Sequence, residues 1–335
     1  MIAAGHDPVL HVTNGDSTVR LLEASDIPGD ILPWQDVLHE GPVPAHLPPD
    51  ELAEIRAAYL TSQGWAVDVQ AVRASFASRD HALETCAVRD EVVLWFEHDL
   101  YDQLQLIEVL DRLSGPHRPR PGRLTMTPGD DYLGTQKATA FRPLFDARHD
   151  VTDAEFAAAR GAWRAFRSAD LRDVERLTPE AMSPLPHLRA AMRRHLEEAP
   201  DVRTGLSRSE RQALEVLATD SCTAAKAFTR SHHERETAIF LGDSSFASYL
   251  VRMSDVEHPL VAFEGGEAIT RAATHDQVRF WGRLVEITAN GRDVLAGRAD
   301  HVLLNGVDRW MGGAQLQGNE VPWRWDADRE VISVG

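Results

Sequence analysis

Cysteine is scarce in this chain, which has only Cys86 and Cys222 among its 335 residues. Two thiols set far apart exclude a cysteine-rich zinc module and are typical of a reducing compartment. The sequence also lacks an apolar run of the ~20 residues that a membrane-spanning helix needs. Its first residues show no basic segment followed by an apolar one, as a signal peptide would. We therefore expect a cytoplasmic protein with no membrane partner.

Positive charge is in deficit along the chain. Lys and Arg total 35 against 52 Asp and Glu, which gives a formal net charge of -17. Residues 1–150 have 12 basic and 24 acidic side chains, residues 151–199 have 8 of each, and residues 200–335 have 15 and 20. No stretch of domain size is basic, and an acidic protein repels phosphate backbones. The composition therefore disfavours a nucleic-acid partner.

The rest of the composition is that of a globular protein, with 43% hydrophobic and 26% charged residues. The length favours two domains. We predict an α/β domain over residues 1–135, a helical bridge over 136–200, and a winged-helix-like α+β domain over 201–335 that ends in a Trp-rich tail.

Apolar runs alternate with amphipathic stretches in the first region. The predicted strands are 8–14, 29–34, 91–96 and 123–128. The predicted helices are one through Leu21 and Leu22, capped by Asp16 or Ser17, and three over 48–64, 67–86 and 99–113. Short connections between alternating strands and helices predict a mainly parallel sheet with helices on its faces.

Polar residues follow each predicted strand. Ligands of parallel sheets bind outside the carboxyl ends of the strands, so these segments would share one edge. The segments are 14–17, then 34–42 with Asp36, His39 and Glu40, then 97–103, and finally 129–132. This coincidence is the strongest functional signal in the sequence, and it predicts a site at that edge.

Simpler roles explain part of the pattern. Asp99 is a natural N-cap of the helix that follows it, and Asp102 suits the positive end of the helix dipole. The pair Asn14-Gly15 can be a tight turn, and 40–42 a rigid one. Capping explains less well why Glu97, His98 and two aspartates accompany a second His-Glu pair.

Two chemistries fit these residue types. In one, His39, Glu40, His98 and a carboxylate from Asp99 or Asp16 bind a divalent metal, although the spacing matches no strong metal motif. In the other, a histidine that a carboxylate orients acts as general acid or base, without a metal. Because spacing forces no set of three ligands, the sequence slightly favours the metal-free form.

The remaining polar residues would bind the ligand. The amides of residues 15–17, at a helix start, suit an anionic group such as phosphate. The catalytic candidates are His39, Glu40, Glu97, His98 and Asp99. The ligand-binding candidates are Asn14, Gly15, Asp16, Ser17, Asp36, Asp102 and Gln103.

The motifs NGDS, PWQDVLHEGPVP and LWFEHDLYDQLQL resemble those of the bacterial domain-of-unknown-function 1835 family. The resemblance covers roughly residues 9–130. It implies that the site candidates are the family's motif positions, but it implies no reaction. The roles given above therefore depend on the chemistry of the residues alone.

From Gly205 the pattern changes to three short helices followed by strands. With the phrase ITANGRDVLAG, this order resembles the winged-helix class of bacterial regulators. The candidate recognition helix offers only Ser244, Ser245, Ser248 and Arg252, whereas DNA readers present more basic and amide side chains. A packing or protein-interaction role is therefore favoured over DNA binding.

The tail carries Trp310, Trp323 and Trp325 among glycines, and we expect a β-hairpin that joins the domains. An alternative is a lid of Asp308, Arg309 and Trp310 over the N-terminal site. The sequence as a whole favours a hydrolase or group transferase for a phosphorylated or nucleotide-like small ligand. A ligand-sensing transcriptional regulator and a non-catalytic interaction module are the alternatives. The sequence identifies neither the cofactor nor the oligomeric state.

Overall fold

The computed structural model describes residues 7–115 and 120–334. Parts of the predicted first and third domains, residues 1–6, 116–119 and 335, lie outside the described residues. The described chain is α/β, with fifteen α-helices and twelve strands. Within these ranges, no helix is both long and apolar enough to cross a membrane.

The principal sheet has five strands. They are β1 (Val9–Thr13), β2 (Asp30–Pro33), β3 (Glu91–Trp95), β4 (Arg123–Met126) and β5 (His149–Asp150). Their order is β2-β1-β3-β4-β5. The first four are parallel, and β5 pairs antiparallel with β4 at one edge. The predicted parallel sheet is thus confirmed, whereas β5 interrupts a region predicted to be only helical, because two residues give no strand pattern.

The strand order fixes where a ligand crevice lies. From β1 the chain crosses to β2 on one side, and it then returns past β1 to β3 on the other. Connections that diverge in this way leave a crevice at the carboxyl ends of the two central strands. Here those strands are β1 and β3, so the segments after Thr13 and Trp95 meet there.

Helices cover both faces of this sheet. They are α1 (Asp16–Glu23), α2 (Pro49–Ser62), α3 (Val69–Glu84), α4 (Leu100–Leu113), α5 (Phe141–Asp146) and α6 (Asp153–Phe166). Leu22 of α1 and Phe141 of α5 pack on Val93 and Trp95 of one face. The opposite face packs on α4, which lies under α6 and buries eleven of its fourteen residues. The central helix therefore has almost no surface of its own.

Three further helices form the middle of the chain: α7 (Arg172–Glu175), α8 (Pro179–Met182) and α9 (Leu188–Leu196). A single hydrophobic core runs from Leu10 in the sheet through Leu188 in α9 to Ile332 near the C-terminus. The regions are therefore packed together rather than linked by a solvated segment.

The C-terminal part is built from short elements. Its helices are α10 (Arg208–Thr219), α11 (Ala224–Phe228), α12 (Asp243–Ser254), α13 (Gln277–Gly282), α14 (Ala289–Leu295) and α15 (His301–Asn305). Its strands are β6 (Cys222–Thr223), β7 (Val261–Phe263), β8 (Leu284–Ile287), β9 (Val307–Met311), β10 (Ala314–Gly318), β11 (Trp323–Asp326) and β12 (Val331–Val334). β6, β8 and β7 form an antiparallel sheet, and the tail forms two hairpins rather than one.

Of the two helix caps that the sequence predicts, the cap of α4 is confirmed and that of α1 is wrong. The hydroxyls of Thr152 and Ser207 begin α6 and α10 in capping boxes, and Asp99 caps α4. However, α1 begins at Gly15 with no side-chain cap, so the predicted cap by Asp16 or Ser17 is wrong. The hydroxyl of Thr288 caps α14, and Asn290 and Gly291 form part of the first turn of that helix.

Candidate functional site

The segments that follow β1 and β3 bring together five of the predicted site residues. These are Asn14, Glu97, Asp99, Asp102 and Gln103. The Nδ2 group of Asn14 donates to Glu97 Oε1 at 3.3 Å and to Asp102 Oδ2 at 3.1 Å. The Thr18 hydroxyl holds the amide oxygen of Asn14 at 2.9 Å. Because β1 and β3 are neighbours, a residue after one strand reaches carboxylates after the other.

Glu97, Asp99 and Asp102 form a carboxylate triad. One oxygen from each lies within 4.8 Å of the others, and all three side chains are buried. Backbone amides hold them: Leu133 donates to Glu97 at 2.8 Å, Glu97 to Asp102 at 2.6 Å, and Asp102 to Asp99 at 3.1 Å. Within the described part of the chain, no Lys or Arg forms an ion pair with the triad.

Burying several negative charges close together destabilises their ionised forms, and the pKa values of all three carboxyl groups are raised accordingly. Burial raises the pKa of Asp99 to about 7, and the nearby Glu97 contributes. Burial and then the charges of Asp99 and Glu97 raise the pKa of Asp102 well above its ordinary value. Burial also raises the pKa of Glu97 against the amides that bind it. The triad therefore favours either a shared proton or a bound cation.

Two more oxygens of this region have no hydrogen-bond partner in the described structure. They are Asp102 Oδ1 and Gln103 Oε1, on side chains 0% and 2% exposed. The Gln103 amide group donates to the Glu97 carbonyl at 2.7 Å, which places this side chain beside the triad. Oxygen ligands of this kind are those that Mg²⁺, Mn²⁺ and Ca²⁺ prefer.

The predicted anion segment begins α1 at the same edge. The Gly15 carbonyl accepts from the amides of Thr18 and Val19, both at 3.1 Å. Asp16 is exposed and accepts from the Gln35 side chain at 2.6 Å, and Ser17 is also exposed. These residues adjoin the triad through Asn14, but Asp16 and Ser17 make no contact with its carboxylates in the described structure.

Asp36 is committed to a structural partner. Its Oδ1 accepts from Nε and Nη2 of Arg56 at 3.1 and 2.8 Å. The same guanidinium donates to the carbonyls of Val37 and Glu40. Gly41 has φ +80°, and a Cβ there would lie 2.4 Å from the Tyr59 ring, so this turn requires glycine. The loop 36–41 is thus locked against α2.

His39 and Glu40 both contact residues of the C-terminal part. Glu40 Oε1 lies 3.5 Å from Arg252 Nη2 and 3.9 Å from Arg309 Nη2. Burial raises the pKa of Glu40, but Arg252 and Arg309 outweigh it, and the pKa falls below its ordinary value. Arg309 also lies 3.7 Å from Glu198 and donates to its carbonyl at 3.1 Å.

His39 is an apolar-packed imidazole. Tyr101 and Phe240 pack edge-on against it, with ring centroids 6.0 and 5.2 Å away, and neither ring nitrogen has a hydrogen-bond partner. Burial lowers its pKa to about 4. The structure therefore does not bring His39 or Glu40 into a group with His98 and Asp99, the set that sequence reasoning offered for a metal. The group that could hold a metal ion is instead the triad of Glu97, Asp99 and Asp102.

His98 faces a separate cavity of about 320 Å³. Its ring packs on Tyr132 at 4.7 Å and on His187 at 5.8 Å between centroids. His187 Nε2 lies 3.2 Å from Asp130 Oδ1. Burial, and then the nearby His187, lower the pKa of His98. The predicted segments 97–103 and 129–132 thus meet at His98 and Tyr132.

Some residues of the site carried no sequence signal, and for others the sequence suggested a different role. His187 comes from the proline-broken stretch before α9, and the amide of Leu133 binds Glu97 through its backbone alone. The sequence offers Arg252 for a recognition helix and Arg309 for a lid, but the structure makes both partners of Glu40, more than 200 positions earlier in the chain. Only the folded chain places these residues beside the predicted ones.

The comparisons with known proteins name no relative. No family model matches the sequence, and no curated protein matches it. Among solved structures, the chain is similar to the Plasmodium falciparum topoisomerase II DNA-binding, cleavage and re-ligation domain, with 11% identity and a TM-score of 0.41. The similarity covers 85% of this chain and 48% of that chain, so this chain spans about half the length of that one. A likeness at this level establishes neither fold nor function.

Proposed function

We propose that this chain is an enzyme that binds a divalent cation at Glu97, Asp99 and Asp102 and acts on a small phosphorylated ligand, as a hydrolase or phosphoryl transferase. In the hydrolytic form the ester P–O bond breaks and a water oxygen bonds to phosphorus. One proton of that water goes to the leaving alcohol, and the other stays on the phosphate.

One observation carries this proposal: three buried carboxylates converge at the crevice of the sheet without a basic partner in the described structure. A hard divalent cation supplies the missing charge and takes oxygen ligands. Such a cation also stabilises the charge that develops during phosphoryl transfer. His39 supports no catalytic role here because it is buried among aromatic rings, whereas His98 borders a cavity.

Cation binding is the first test. Metal-free protein is titrated with Mg²⁺, Mn²⁺ and Ca²⁺, and binding is followed by calorimetry and by the melting temperature. We expect tight binding by the wild type and none by Asp102→Asn. The matched control is Asp16→Asn, because Asp16 is an exposed aspartate at the same edge of the sheet. This variant should bind the cations as the wild type does. If Asp102→Asn binds the cations equally well, the triad is only a proton-sharing cluster.

Activity is the second test. Release of inorganic phosphate is measured over a panel of small phosphate esters with Mn²⁺ present. Loss of turnover in Asp99→Asn, with an unchanged fold by circular dichroism, is the expected result. Turnover that persists in this variant would contradict a role for the triad.

We infer that the C-terminal part has a structural role in this enzyme. The order α10, β6, α11, α12, β7, β8 and the sheet order β6-β8-β7 support the winged-helix proposal. Nine of the twelve residues of α12, the candidate recognition helix, are buried, among them Ser245 and Ser248. This burial disfavours DNA reading by α12.

We also propose that the chain is related to the domain-of-unknown-function 1835 family and that it is cytoplasmic. The resemblance to the domain-of-unknown-function 1835 family is supported by its motifs, which form one sheet edge here. The cytoplasmic location is supported by the scarcity of cysteine, since Cys86 and Cys222 lie far apart in the sequence and are both buried.

A further inference from the structure

The cavity beside His98 carries an inference that rests on the proposed function. Leu100, which directly follows Asp99 in sequence, lines this cavity with His98, so it adjoins the segment that carries the triad. Its far wall comes from α9 and from residues 236–238 of the C-terminal part. The cavity therefore exists only where the three regions of the chain meet.

Basic groups dominate the polar lining. Arg193, Arg194 and Arg208 face Glu197 and Glu236, and His98 and His187 add two imidazoles. The glutamates fix the arginines: Arg208 lies 2.5 Å from Glu197 and 3.1 Å from Glu236. A guanidinium has five N–H donors, so an arginine positioned by two acceptors still has donors for a third.

The apolar lining limits the rest of the ligand. Leu100, Ala190, Ala191 and Ala238 form a small non-polar wall. A volume of about 320 Å³ is at the lower end of the ~300–1,000 Å³ of small-molecule sites. A cavity of this size fits one phosphate group with a compact organic part.

We propose that this cavity is the substrate site and binds a small phosphate monoester, with the phosphate held by Arg208 and His187. Asp130 orients the His187 ring from outside the cavity through the 3.2 Å contact with Nε2. The His98 ring, on which Tyr132 packs, lines the side of the cavity next to the segment that carries the triad.

The test measures binding of inorganic phosphate to metal-free protein by calorimetry. Arg208→Gln and His187→Gln should each weaken phosphate binding about tenfold, the loss of one charge-assisted hydrogen bond. Arg189→Gln is the matched control, because Arg189 is an exposed arginine of the same helix as Arg193 and does not line the cavity. It should bind phosphate as the wild type does.

Because Arg208 pairs with buried acids, Arg208→Lys is measured as well, since it keeps the charge if the glutamine variant unfolds. Wild-type affinity in both cavity variants, or no phosphate binding by the wild type, would overturn the proposal. Phosphate binding that survives in Asp102→Asn supports the cavity even if the triad binds no cation. Cation binding without any effect of the cavity variants leaves the proposed function standing and removes this site.

Discussion

At the scale of single residues, the buried histidines and the triad give stability opposite dependences on pH. Burial lowers the pKa of His39 to about 4 and that of His195 and His232 to about 3. Because the pKa of each of these histidines is lower in the folded chain than in the unfolded chain, the unfolded chain binds more protons. The free energy of unfolding therefore decreases as the pH falls. The triad has raised pKa values, so it loses stabilisation as pH rises.

The first prediction concerns His39. Its unfolded pKa is about 6.5, so its contribution is complete above that pH and falls by roughly 3 kcal/mol as the pH drops to about 4. We expect His39→Leu to flatten the fall in unfolding free energy over this window, measured by urea denaturation. His149→Leu, an exposed histidine, serves as control. An unchanged pH profile in His39→Leu would disprove the assignment.

The second prediction concerns Asp99. Its protonation stabilises the folded chain fully below pH ~4, and this stabilisation is lost as pH rises through about 7. Without a divalent cation, Asp99→Asn should therefore melt at a higher temperature than the wild type at pH 8, but not at pH 4. Thermal melts in chelator at both values check this. Saturating Mn²⁺ should reverse the order at pH 8, because only the wild type gains a cation.

At the scale of elements, some helix starts are determined by the local sequence and others are not. Thr152 and Ser207 were predictable because a capping box requires only two residues three positions apart. The start of α1 was not, because Gly15 caps it through backbone alone. Strands 8–14 and 91–96 were also readable, since continuous apolar runs suit a sheet covered on both faces.

The third prediction tests these caps. Ser207→Ala removes the hydroxyl that accepts from the Glu210 amide at 3.2 Å, and it should cost about 1 kcal/mol of unfolding free energy. Ser17→Ala is the control, because Ser17 caps no helix, and it should change stability by a few tenths at most. Equal losses in the two variants would show that the hydroxyl of Ser207 does not stabilise α10.

Only part of the candidate site could be predicted at this scale. Polar residues after strands indicate an edge, but the strand order decides which of them meet. β1 lies beside β3, so Asn14 reaches Glu97 and Asp102. The segment after β2 lies on the other side of β1, and Arg56 holds it turned toward the C-terminal part. The strand order of the sheet cannot be predicted from the local sequence of these segments.

At the scale of the whole molecule, one carboxylate joins the regions. Glu40 comes from the N-terminal part, Arg252 from α12 and Arg309 from β9, and all three are at least partly buried. A buried charge that loses its partner is far more costly than an exposed one. The interface is therefore as sensitive to substitution as a hydrophobic core.

The fourth prediction tests this interface. Glu40→Gln leaves Arg252 without its carboxylate, and we expect a loss of about 3–5 kcal/mol in unfolding free energy. The double variant Glu40→Gln, Arg252→Met should recover part of that loss. Glu54→Gln removes an exposed ion pair with Arg73 and should cost at most ~1 kcal/mol. Additive losses in the double variant would contradict a direct Glu40–Arg252 interaction.

The turn between β9 and β10 has a consequence for how the chain is made. The Val43 amide donates to the Gly312 carbonyl at 2.8 Å, and the Gly313 amide donates to the Phe166 carbonyl at 3.0 Å. The ribosome releases the loop at Val43 long before it has added Gly312. A nascent chain therefore holds Glu40 without its partner Arg309 until β9 has been synthesised. Synthesis of the β9–β10 hairpin, rather than of the first domain, is the step that allows these contacts with the N-terminal part to form.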